Sequence, residues 1–120
     1  MAREYTKTKW GREIPYTSPT GVKTYLYNIG TLAEELGRTV QTIRKWEIGG
    51  VIPETPFKQN GRRLYSREHM DAIISCAERA KIRQGSSSTH QTSFTKWVYK
   101  EFQRINDLFF NVEKENSKNG

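Results

Sequence analysis

A single glycine between two short amphipathic segments constrains this chain more than any other feature. Asn28 precedes Ile29, Leu32, Ala33 and Leu36. These apolar positions at i, i+3, i+4 and i+7 predict a helix with an asparagine N-cap. Gly37 follows in the C′ place, where positive φ suits glycine. Thr39 then caps a second helix, whose apolar positions Val40, Ile43 and Trp46 run to a stop at Gly49-Gly50. Two short helices joined by a glycine turn predict a helix-turn-helix. Ala33 is small where the helices must cross closely, and Ile43 and Trp46 are expected in the core between them. The outward face then carries Gln41, Thr42, Arg44 and Lys45, with Thr39 at its start. Glutamine suits adenine, arginine suits guanine, and threonine suits a thymine methyl or a phosphate.

The next segment supplies a hairpin. Pro56-Phe57-Lys58-Gln59 and Arg62-Arg63-Leu64-Tyr65 flank Asn60-Gly61, the pair that a type I′ turn favours because both central residues need positive φ. Pairing about that turn sets Phe57 opposite Leu64 and Lys58 opposite Arg63. Like charges facing each other destabilise a hairpin. The crowding of Lys58, Arg62 and Arg63 is therefore expected to meet an anion, which makes the hairpin a DNA-binding wing. Ser66 caps a third helix expected over 67–84, with Cys76 as a small buried or half-buried residue.

Charge agrees with such a partner. Twenty Lys+Arg against thirteen Asp+Glu give a net charge of +7 in 120 residues, with a pI of about 9.7. Five basic and two acidic residues fall within 1–25, so residues 1–24 are expected to form a basic arm. Pro15, Pro19 and Gly21 interrupt it, and Trp10 and Tyr16 are expected to dock on the domain, with stacking on a partner as the alternative. No apolar run approaches a membrane span, no apolar leader follows Met1, and one cysteine supports neither a disulfide framework nor a multi-cysteine zinc site. A cytoplasmic location is the expectation. His69 and His90 lack ligand-spaced partners and are expected on the surface, so no metal and no cofactor are expected.

Residues 26–73 resemble the DNA-binding domain of the MerR family, a winged helix-turn-helix. The resemblance rests on Tyr27-Asn28-Ile29-Gly30-Thr31-Leu32-Ala33, on Thr42-Ile43-Arg44-Lys45-Trp46-Glu47, on Gly49-Gly50-Val51-Ile52-Pro53 and on Arg63-Leu64-Tyr65-Ser66. Glu68 and Asp71 match the acidic opening of the family's third helix. Lys45 departs from the first of the family's paired aromatics, and Arg62 from the aromatic that often precedes the wing arginine. The resemblance is best to short relatives: excisionases, chromosome-anchoring proteins and small phage regulators.

Beyond a Gly/Ser/Thr linker at 85–93, a last amphipathic helix is expected over 94–112, about 28 Å long. Its stripe of Phe94, Trp97, Val98, Phe102, Ile105, Leu108 and Phe109 is too apolar to stay wet. Pairing with a second copy as a homodimer is the leading expectation. Docking on a protein partner and folding back on the domain are the alternatives. A polar tail occupies 113–120.

The expected fold is thus mainly α with a small β-hairpin wing. The expected function is double-stranded DNA binding by a transcriptional regulator of a phage or mobile element. An excisionase-like architectural protein and a terminase small subunit are the alternatives within DNA binding, and an adaptor acting through helix 94–112 is the alternative outside it. No paired carboxylates, activated nucleophile or phosphate loop suggests an enzyme.

Overall fold

The computed structural model describes residues 13–80 and 92–111. In chain order the elements are β1 (Ile14–Thr17), β2 (Lys23–Asn28), α1 (Ile29–Leu36), α2 (Val40–Ile48), β3 (Phe57–Gln59), β4 (Arg62–Ser66), α3 (Arg67–Arg79) and α4 (Thr92–Phe110). The strands form one antiparallel sheet in the order β1-β2-β4-β3. Phe57 pairs with Leu64 and Lys58 with Arg63, the register expected from Asn60-Gly61. Both turn residues have positive φ, 52° and 77°.

The expected helix-turn-helix and hairpin are present, and the sheet extends beyond the hairpin to four strands. Residues 14–24, read from sequence as part of a basic arm, instead form β1, a turn and the start of β2. Tyr16 does dock, its ring edge-on to Phe57 with centroids 5.0 Å apart. Residues 1–12, with Arg3, Lys7, Lys9, Trp10 and Arg12, lie outside the described residues.

The two central strands are buried on both faces. Tyr25, Tyr27 and Tyr65 point into a cluster with Leu32, Ala33, Ile43, Trp46, Met70 and Ile73. Leu26, Leu64 and Phe57 point the other way, into a second cluster with Ala72, Ile105 and Phe109. Strand residues alternate between faces, so an unbroken apolar run such as Tyr25-Leu26-Tyr27 needs cover on both sides.

Helix α4 supplies the second cover. Phe94, Val98 and Phe102 complete the first cluster, and Ile105 and Phe109 the second, all five buried. Trp97 is half-buried beneath the Arg79 guanidinium, 4.0 Å from its ring centroid. Leu108 remains 50% exposed. The stripe expected to make a homodimer or hold a protein partner is therefore covered within the chain. That expectation left out the second face of the sheet, which needs its own cover. Thr92 and Ser93, expected in the linker, belong to α4, while the rest of 85–93, Val112 and the tail fall outside the described residues.

The far end of α4 is held by the β1–β2 turn. The Thr20 hydroxyl lies 2.6 Å from the carbonyl oxygen of Leu108 and 3.0 Å from that of Phe109. The Thr20 N–H reaches the latter at 3.4 Å. Carbonyls in the last helical turn have no partner inside the helix, so the turn acts as a C-terminal cap.

His69 is fully buried, contrary to the surface position expected of it. It packs against the rings of Phe57, Phe102 and Phe109. Ser66 Oγ, the N-cap of α3, accepts the His69 N–H at 3.0 Å and lies 2.6 Å from Nδ1. Its one proton serves Nδ1, which leaves Nε2–H to donate to Asn106 Oδ1 at 2.8 Å. The histidine thus joins α3 to α4 as a neutral ring, and burial pushes its pKa down to about 4.

Two outcomes follow. Phe102→Ala should destabilise the fold by about 3–5 kcal/mol, whereas Leu108→Ala should stay within about 0.5 kcal/mol. Equal urea midpoints for the two variants would mean that α4 does not pack on the sheet. For His69, the unfolded ring binds a proton near pH 6.5 and the folded ring only near pH 4. Its contribution is therefore complete above about pH 6.5 and falls as pH drops toward 4, by on the order of 3 kcal/mol. Urea unfolding between pH 7.5 and 4.5 should show this slope in the wild type and a shallower one in His69→Gln; parallel slopes would count against it.

Candidate nucleic-acid interface

The turn between α1 and α2 is set by backbone chemistry. Gly37 adopts φ 67° and ψ 33°, the left-handed region. Its N–H reaches Glu34 O at 3.1 Å, and that of Arg38 reaches Ala33 O at 2.8 Å, closing α1. Thr39 Oγ1 accepts the Thr42 N–H at 3.2 Å and lies 3.0 Å from the Thr42 hydroxyl. Both threonines are engaged in starting α2. The Arg38 guanidinium covers Trp46, 5.1 Å from the ring centroid.

Helix α2 turns Ile43, Trp46 and Glu47 inward and leaves Gln41, Arg44 and Lys45 exposed. Thr42 is half-buried and Thr39 exposed. Of the face read from sequence, Gln41, Arg44 and Lys45 are presented in full and Thr42 only in part.

The inward-facing Glu47 went unread as a functional position. Its carboxylate accepts the Thr55 N–H at 3.1 Å, the Tyr65 hydroxyl at 3.2 Å and the Arg63 Nε–H. Three donors from the loop and from β4 therefore converge on one residue of α2. The Arg63 pKa is raised, first by this hydrogen bond, and that of the Tyr65 hydroxyl is raised, first by burial and then by the neighbouring carboxylate. The available signal was a carboxylate at a core position, four residues after Ile43, in a chain whose β4 brings both an arginine and a tyrosine.

This changes the reading of the hairpin cations. Arg63, expected to meet DNA, is tied to Glu47 and its side chain is only 23% exposed. Lys58 pairs with Glu54 at 3.0 Å on the surface. The like charges that face each other in the register each have a carboxylate of their own, so no anion is needed to explain their crowding. Arg62 is exposed and, like Arg44 and Lys45, has no acidic partner among the described residues.

What the fold brings together is a cleft. Asn28, Ile29 and Gly30 at the start of α1, Val40 and Arg44 of α2, and Gly61, Arg62 and Arg63 of the hairpin line it. Three arginines and a helix N-terminus meet there with no carboxylate in the lining. Such a surface favours anions by charge and by dipole. Among the described residues there is no cluster of three metal-ligating side chains, and no helix is long and apolar enough to cross a membrane. Cys76 is buried, and burial raises its thiol pKa, the opposite of activation.

Comparison with known proteins places these elements. Residues 27–75 match the family model described as MerR HTH family regulatory protein, and these residues form a MerR-like helix-turn-helix segment. A mercuric resistance operon regulatory protein of Bacillus cereus is 38% identical over 47 residues, covering 39% of this chain and 36% of that protein. The chain thus spans little more than a third of the curated relative it matches. No solved structure gives a significant match. β1 and α4, which complete the second core cluster, lie outside the matched residues.

The Glu47 cluster is testable by a double-mutant cycle. Glu47→Gln leaves Arg63 without its counter-ion, and breaking a buried pair costs about 3–5 kcal/mol. Partial exposure of Arg63 brings the expected loss to about 2 kcal/mol. The double variant Glu47→Gln/Arg63→Met should cost less than the two single losses added, with a coupling of about 1 kcal/mol. Additive losses in urea unfolding would refute the pair.

Proposed function

We propose that this chain binds double-stranded DNA as a transcriptional regulator, with α2 in the major groove and the β3–β4 hairpin against the adjoining backbone or minor groove. The observation that carries this reading is the cleft where Arg44 and Arg62, both without acidic partners among the described residues, meet the start of α1. The MerR-like match over 27–75 supports it. The similar Bacillus cereus protein is a resistance operon regulator, which favours regulation over other uses of DNA binding. The sequence resemblance to short phage regulators supports service to a phage or mobile element.

Roles divide by chemistry. Gln41 and Arg44 carry side chains able to make paired hydrogen bonds to base edges, while Lys45 and Arg62 are suited to phosphates. Lys58 keeps a surface ion pair that DNA can displace at little cost. Arg63 acts chiefly by holding the hairpin to α2. The adaptor reading loses its basis, because the α4 stripe is mostly buried within the chain.

Fluorescence anisotropy on a duplex selected from random sequence tests this. Arg62→Ala should weaken all duplexes about equally and flatten the slope of log K against log[salt] by about 0.9. Gln41→Ala and Arg44→Ala should alter the selected motif, each good bidentate contact being worth about 1–3 kcal/mol of discrimination. An unchanged salt slope together with an unchanged motif would remove α2 and the hairpin from the interface.

A further inference from the structure

Ile48, the last residue of α2, is 78% exposed, well beyond the 50% of Leu108, the next most exposed large apolar side chain among the described residues. A helix repeats every 3.6 residues, so positions three, four and seven apart share a face. Ile48 follows Lys45 by three, Arg44 by four and Gln41 by seven. It therefore lies on the face that carries the exposed polar residues and away from Ile43, Trp46 and Glu47 in the core. Gly49 and Gly50 come next and carry no side chain to shade it.

A branched apolar side chain gains nothing from water, and on this face it contributes nothing to the core. Its chemistry is not that of a phosphate contact. The major-groove edges of the four bases present hydrogen-bonding groups and a single apolar group, the C5-methyl of thymine. Seven residues of helix span about 10 Å, about three base-pair steps of 3.4 Å along a groove, so Gln41 and Ile48 can face bases of one site.

We infer that Ile48 is a specificity-determining residue that packs against the methyl group of a thymine at one flank of the DNA site. This rests on the DNA-binding reading above and adds to it an apolar contact that discriminates thymine from cytosine without a hydrogen bond.

The experiment uses the full chain and the duplex it selects at near-physiological salt. Each thymine of the site is replaced in turn by deoxyuridine, which removes only the methyl group, and affinity is measured for the wild type and for Ile48→Ala. At one or two flanking positions the wild type should bind the uracil duplex about fourfold more weakly, the effect of losing one buried methyl contact. At those same positions Ile48→Ala should not distinguish uracil from thymine. Circular dichroism should show both proteins equally folded, since Ile48 is outside the core. A methyl penalty of the same size in both proteins, or none at any thymine, overturns the role of Ile48 while leaving salt-dependent DNA binding intact. Failure to bind any duplex overturns the DNA-binding reading and this inference with it.

Discussion

The Glu47 carboxylate is the interaction on which the rest of the arrangement depends. It sits on α2 and gathers Thr55, Arg63 and Tyr65, so one residue joins the helix, the following loop and the hairpin. A carboxylate removed from water is strongly unfavourable unless its lone pairs are satisfied. Here three donors satisfy it, one from the loop before the hairpin and two from β4. These bonds tie α2, which carries Arg44, to the strand β4, which carries Arg62. Apolar packing of Ile43 and Trp46 holds α2 in place but tolerates small shifts. Directed hydrogen bonds to a buried charge do not.

The local parts of this fold were legible in the sequence because their causes are local. Asn28, Thr39 and Ser66 cap helices through the N–H of a residue three positions on. Gly37 closes α1, and Asn60-Gly61 sets a register that the sheet keeps. The placement of α4 was not legible in the same way. Its stripe announces burial but says nothing of what covers it. The answer lay in Leu26 and Leu64, apolar residues between or beside tyrosines, which mark strands enclosed on both faces. Reading the hairpin at 57–65 as a wing, apart from Leu26 and the strand it lies on, left α4 without a home in its own chain and β1 without a reason to form.

The candidate interface divides along a similar line. Exposure of Gln41, Arg44 and Lys45 follows from helical periodicity, since the opposite face is apolar. Arg63 and Lys58 are indistinguishable from Arg62 in a list of basic residues. Only three-dimensional pairing with Glu47 and Glu54 separates them. His69 is a parallel case. Its neutral, buried state depends on Asn106, thirty-seven residues away, and on aromatic rings from β3 and α4. Ile48 is the converse, an apolar residue that periodicity puts on the polar face and that only its exposure in the fold brings to notice.

The capping of α4 by Thr20 has a bearing on how the chain is made. The two residues that meet there, Thr20 and Phe109, are 89 positions apart. A chain emerging from the ribosome forms α1, α2 and the β3–β4 hairpin from neighbouring segments. Leu26, Leu64 and Phe57 then lack their cover until α4 has followed. During synthesis at about 5–20 residues per second, the interval between β4 and the end of α4 lasts several seconds. For that time the nascent chain presents an uncovered apolar sheet face, the kind of surface that chaperones bind and that misassembles with neighbours. Arrival of α4 ends the exposure, and the turn around Thr20 secures it. The half of the molecule that carries the candidate interface is thus built early from local contacts, while the cover for its apolar sheet face arrives last and from far along the chain.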